Sequence, residues 1–154
     1  MPSSPRAKVA TRFRIGVRAR AAELLEKPNS QVVAGIDNAL TEVVRCKSVN
    51  EYGVSEALAT CVGEYLEPTL EASVATVIVV LGAQAKRVVR DRYGLESHVL
   101  LHGPLLVANR KRLILFLPHP TGRALQKTFS GCLLPSDVDR LRQWLNNSEI
   151  RSTE

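Results

Sequence analysis

The chain reads as an α/β protein of three layers, α/β/α, around a mostly parallel central sheet, and three observations predict it. The run "VATVIVVLG", residues 74–82, is nearly continuous in β-branched residues, the pattern of a strand covered on both faces. It passes through Gly82 directly into "AQAKRVVRDRYG", a helical pattern that stops at Gly94, so a strand feeds a helix through a single-glycine turn. Helix-period segments stand near both ends of the chain, enclosing the strand-like runs.

In chain order, "VRARAAELLEK" (17–27) places Val17, Ala21, Leu24 and Leu25 on one helical face, and Pro28-Asn29-Ser30 ends it. "NALTEVVRC" (38–46) reads as a strand carrying Leu40, Val43 and Val44. From Val54, apolar residues Leu58, Val62, Tyr65, Leu66 and Leu70 recur at helical spacing, with Ser55 as the cap and a kink or break at Pro68. The segment 98–119 holds two apolar runs around "NRKR", which reads as a hairpin or two adjacent strands. "LPSDVDRLRQWL" (134–145) puts Val138, Leu141 and Leu145 on one face of a last helix. The resulting division is a basic, flexible arm over 1–16, one α/β domain over 17–147 and a frayed tail over 148–154.

The 154 residues, 45% apolar and 23% charged, suffice for one core and lie far from a disordered composition. Aromatics are 5%, so any base-stacking surface is small. The longest apolar run falls well short of the roughly 20 residues that cross a bilayer, which predicts a soluble protein. Three cysteines, Cys46, Cys61 and Cys132, are too sparse for a secreted disulfide framework and point to a reducing, cytoplasmic setting. The net charge of +6 is concentrated at the start: Arg6, Lys8, Arg12, Arg14, Arg18 and Arg20 all precede the first acid, Glu23. Such an arm suits phosphate neutralisation on nucleic acid; a solvated terminus and an Arg-rich transit peptide are the plainer readings.

Ligands of open α/β sheets sit beyond the carboxyl ends of the strands. Three segments fall there: Glu42 to Cys46, the Gly82 turn, and Pro118 to Arg123. His119, between two prolines that stiffen the backbone, is a directed imidazole at the end of the most apolar strand. Gly82 stands without the further glycines or the Gly-Lys-Ser/Thr of a phosphate loop, so it reads as a tight strand-to-helix turn. Cys46 and Cys61 alone are too few for a structural metal site, and the plain reading of the cysteines is buried thiols.

Taken together, "ALTEVVRCKS", "ATCVGEYLEPTLEASVATVIVVLGAQA" and "LFLPHPTGRAL" resemble, in order and spacing, the later two-thirds of the uracil-DNA glycosylase superfamily, particularly its bacterial and archaeal iron–sulfur branches. The resemblance covers about residues 18–145. It implies an N-terminally truncated glycosylase-like fold acting on single- or double-stranded DNA in base-excision repair, in a bacterial-type cytoplasm at the nucleoid. By position it assigns catalysis to His119, as donor to the leaving base, and base recognition to Glu42 and Val43. It assigns DNA contacts to Pro120, Thr121, Gly122, Arg123 and Lys127.

The chain departs from that family in three respects. The family's N-terminal motif, with its water-positioning acid or amide and its stacking aromatic, has no counterpart over residues 1–17. Glu42 stands where the family has a base-reading Asn, and an ionised carboxylate accepts only, which leaves the preferred base open. Cys46 and Cys61 match two of four cluster ligands, so an iron–sulfur cluster requires ligands from outside this chain, and no cofactor is expected within it. The alternatives are a non-catalytic nucleic-acid- or protein-binding remnant of the fold and a small-molecule enzyme using the Gly82 turn.

Overall fold

The computed structural model describes residues 5–43, 52–119 and 128–151, with side chains between residues 12 and 147. Its elements are α1 (Pro5–Leu24), a 3-10 turn (Asn29–Gln31), α2 (Val54–Cys61), α3 (Glu67–Ala72), β1 (Val77–Leu81), α4 (Ala83–Tyr93), β2 (Leu101–Val107), β3 (Arg110–Leu117) and α5 (Pro135–Arg151). The mixed α/β class stands. The sheet, however, is small and mixed: its order is β1-β3-β2, with β1 parallel to β3 and β2 antiparallel to it. The expectation of a mostly parallel sheet is corrected by the β2–β3 hairpin. Its turn, Ala108-Asn109, has positive φ at both residues (46° and 62°), a two-residue geometry that reverses the chain directly.

β3 is the centre of the core. Leu113 to Leu117 are all buried, and their alternation divides the core in two. Leu113, Leu115 and Leu117 face Leu24 of α1 and Val138 and Leu141 of α5, with Phe129 and Leu133. Ile114 and Phe116 face Leu70 of α3 and Val89 of α4. Helices therefore cover both faces of the sheet, and each buried aliphatic or aromatic side chain contributes about 1.5–3 kcal/mol.

The break expected at Pro68 holds in modified form, and the expected Ser55 cap is corrected. A wide π-type turn over Val62–Leu66 separates α2 from α3 just ahead of Pro68, which cannot donate an amide and would clash with the preceding turn of a straight helix. The Tyr65 carbonyl is satisfied by the Thr69 hydroxyl at 2.6 Å. The start of α2 is set by Gly53 in the left-handed region (φ 75°), and Ser55 lies inside the first turn instead of capping it.

The predicted strand over 38–46 is corrected for its described part: Ala39 to Val43 form no strand. Upstream, the Asp37 carboxylate accepts from the Val33 amide (2.8 Å) and the Lys27 ammonium (2.7 Å), folding the chain into a tight turn closed by the Ala34–Asn38 bridge. These bonds, Lys27 first, hold the Asp37 carboxyl below its ordinary pKa. Leu40 and Glu42 then emerge exposed, so little apolar burial drives pairing with the sheet. At the ends, α1 begins at Pro5, twelve residues before the predicted start, and α5 continues to Arg151. No described helix is long and apolar enough to cross a membrane.

Arg112 of β3 is fully buried, and its Nη2 donates to the carbonyls of Leu70 and Ser73 at 2.7 Å each, closing the end of α3. Burial lowers its pKa from the ordinary value. Arg112→Ala should cost about 2–4 kcal/mol in urea unfolding, because it opens a cavity and takes the guanidinium from the Ser73 carbonyl, while the Leu70 carbonyl keeps the Ser73 amide. A loss under about 1 kcal/mol would show that water replaces the guanidinium.

Candidate functional site

The carboxyl ends of β1 and β3 lie side by side, because the two strands are parallel and Leu81 pairs with Leu117. The ladder runs one step further: the Gly82 amide donates to the Leu117 carbonyl at 3.2 Å. Gly82 itself has φ 90° and ψ 163°, a conformation open essentially to glycine alone, and from it α4 departs. Across this turn stands His119. A Cβ built on Gly82 would lie 3.7 Å from His119 Cδ2, ordinary contact, so the glycine is required by its backbone angles and not by lack of space. Two of the three segments expected to converge, the Gly82 turn and the Pro118-His119 strand end, do so.

α1 completes the arrangement. Its residues 13, 17, 20 and 24 recur at i, i+4, i+7 and i+11 and so share one face. Leu24 enters the core, and the buried Arg20 donates from Nη1 to the Pro118 carbonyl at 3.0 Å. Phe13 stacks on the His119 imidazole, with ring centroids 5.1 Å apart and planes at 23°. Burial lowers the pKa of Arg20 below its ordinary value, with Cys132 and Glu23 nearby acting the other way. The Glu23 carboxylate, in turn, accepts from the Phe129 and Ser130 amides, the latter at 2.9 Å, and so holds the loop that leads into α5.

Phe13 is passed over in the sequence, and Arg20, read there as part of a phosphate-neutralising arm, is instead buried against the Pro118 carbonyl. The signal was present in the spacing 13-17-20-24, but a single aromatic among arginines does not score as an apolar face. Of the residues assigned by resemblance, Glu42 is exposed and Val43 half-buried, both in irregular backbone, and nothing among the described residues ties either to His119 or Gly82. Pro120, Thr121, Gly122, Arg123 and Lys127 lie outside the described residues, as does Cys46.

Cys61, at the end of α2, is buried, while Cys132 is half-buried, packed against the core between sheet and α5. Among the described residues no group of three or more His, Cys, Asp or Glu side chains could hold a metal ion. An iron–sulfur cluster needs several thiolates around one point, and of the two cysteines matched to cluster ligands only Cys61 lies among the described residues.

Chemically, the strand ends offer an exposed imidazole, fixed from behind by a buried guanidinium on the preceding carbonyl and bordered by a flat apolar ring. Such a group donates to an atom that gains negative charge with little reorganisation. No known protein family matches this chain, and no curated protein or solved structure is similar to it.

Gly82→Ala should destabilise the protein by about 1–3 kcal/mol in thermal or urea unfolding, the cost of forcing a side chain into this backbone region. A variant as stable as the parent would mean that the strand-to-helix turn relaxes and that its geometry is not imposed on the site.

Proposed function

We propose that this chain is a DNA-binding, glycosylase-like domain that excises a deaminated or damaged base, with His119 as the group that stabilises the leaving base. The observation that carries the reading is the position of His119: beyond the carboxyl end of the central strand, beside the Gly82 turn, anchored through Pro118 by Arg20. Helices on both faces of the sheet support a three-layer α/β/α arrangement of the glycosylase kind, here with a shorter, mixed sheet.

The chemistry follows from the group. Cleaving an N-glycosidic bond leaves electron density on the base, and a base must leave the stack before a side chain reaches it. An imidazole N–H directed at the base oxygen that gains charge lowers the barrier in the transition state more than in the ground state. Glu42 and Val43 belong to this reading as base-binding residues and Pro120 to Arg123 and Lys127 as DNA-binding residues, on the strength of the resemblance. The cytoplasmic, nucleoid-associated setting has the same footing.

Excision is tested with oligonucleotides bearing uracil, hypoxanthine or xanthine, single- and double-stranded, followed by alkaline cleavage at abasic sites. The wild type should release one of these bases, and His119→Ala should slow release about 10²–10³-fold, the size of one lost oxyanion-type donor. Folded wild-type protein that binds the oligonucleotides and releases none of the bases would leave a non-catalytic binding domain as the function.

A further inference from the structure

α1 has a second face that the core does not use. With Phe13, Arg20 and Leu24 turned inward, Arg12, Arg14 and Arg18 are exposed. Arg14 and Arg18 lie one turn apart, about 6 Å along the axis, and Arg12 emerges on the opposite flank. None has an acid within the helix at three or four residues' distance, since the first acid of the chain is Glu23. None of the ion pairs among the described residues involves them. Arg14 and Arg18 repel each other at i,i+4, and the first turn of the helix carries no acid to offset its dipole. A helix that violates its own electrostatic preferences over this length is stabilised when an external anion supplies the missing charge.

We propose that Arg14 and Arg18, on one exposed flank of α1, are a docking rail for the phosphates of a nucleic-acid backbone, continuous through Phe13 and Arg20 with the His119 strand end. The proposal deepens the glycosylase-like reading and rests on it for the choice of nucleic acid. The rail is a row of point charges without base-reading geometry, so it supplies register and affinity but no sequence preference. The spacing of Arg14 and Arg18 spans about two steps of a strand that carries one charge per roughly 3.4 Å. An anionic membrane fits less well. A surface helix that lies in a bilayer needs an apolar face to insert, whereas here Phe13 and Leu24 are turned into the protein and Ile15 is the lone exposed large apolar residue on the helix between residues 12 and 24.

The test is the salt dependence of binding to a single-stranded oligonucleotide, measured for the full chain and for the double variant Arg14→Gln, Arg18→Gln. Circular dichroism would show that both are folded. The slope of log affinity against log salt should become shallower by about 1.4, some 0.7 for each phosphate no longer neutralised, and the matching double lysine variant should restore it. An unchanged slope in the folded glutamine variant overturns the rail. So does stronger binding to phosphatidylserine vesicles than to the oligonucleotide. The two claims separate cleanly. Excision by His119 with an unaltered slope removes the rail and keeps the enzyme, whereas a shallower slope without excision by the wild type keeps the rail and removes the enzyme.

Discussion

The structure is organised about the burial of β3, the described strand with a partner on each edge and helices on both faces. Five consecutive apolar residues, Leu113 to Leu117, can be buried only if one half meets α1 and α5 and the other half meets α3 and α4. That requirement sets where the strand ends. Pro118 removes an amide donor and takes the chain out of the ladder, so the next side chain, His119, leaves the sheet at a fixed place beside the end of β1. A functional group at that position inherits the rigidity of the core.

Where regular structure ends inside or against the core, carbonyls need donors, and here arginines supply them. Arg112 reaches the carbonyls that finish α3, Arg20 reaches the carbonyl that follows β3, and Arg142 of α5 reaches the Glu23 carbonyl in the last turn of α1. Each guanidinium has several directed donors on a long apolar stem, so one residue ties together elements distant in sequence. Arg20 joins the helix that carries the exposed arginines to the backbone that carries His119.

Much of this was legible before the structure. The β-branched run of β1, the Gly82 turn into α4, the hairpin around Asn109 and the apolar stripe of α5 each announce themselves through a single strong periodicity or a glycine with a conformational task. The convergence of Gly82 with His119 follows from reading two strand ends in one sheet. Other features were hidden for physical reasons. α1 begins at Pro5 although its sequence reads as a charged arm, because its inward seam is built partly from Arg20, a residue that propensity places at the surface. The stretch after Ala39 carries strand-like residues but stays irregular as far as it is described, because Leu40 and Glu42 meet solvent instead of a sheet edge. The antiparallel hairpin and the parallel sheet were both readable locally, and only their combination around one central strand makes the sheet mixed.

The central claim is that nucleic acid is handled at the strand ends, between α1 and the Gly82 turn. It is tested most directly by titrating isotope-labelled protein with a short single strand containing one deoxyuridine and following the resonances of the Phe13 and His119 rings and the Gly82 amide. The account predicts that these three move together and saturate with the added strand, while the amides of the β2–β3 turn at Ala108 and Asn109, at the other end of the sheet, stay in place. Shifts centred on that turn, with Phe13, His119 and Gly82 unmoved, would contradict it.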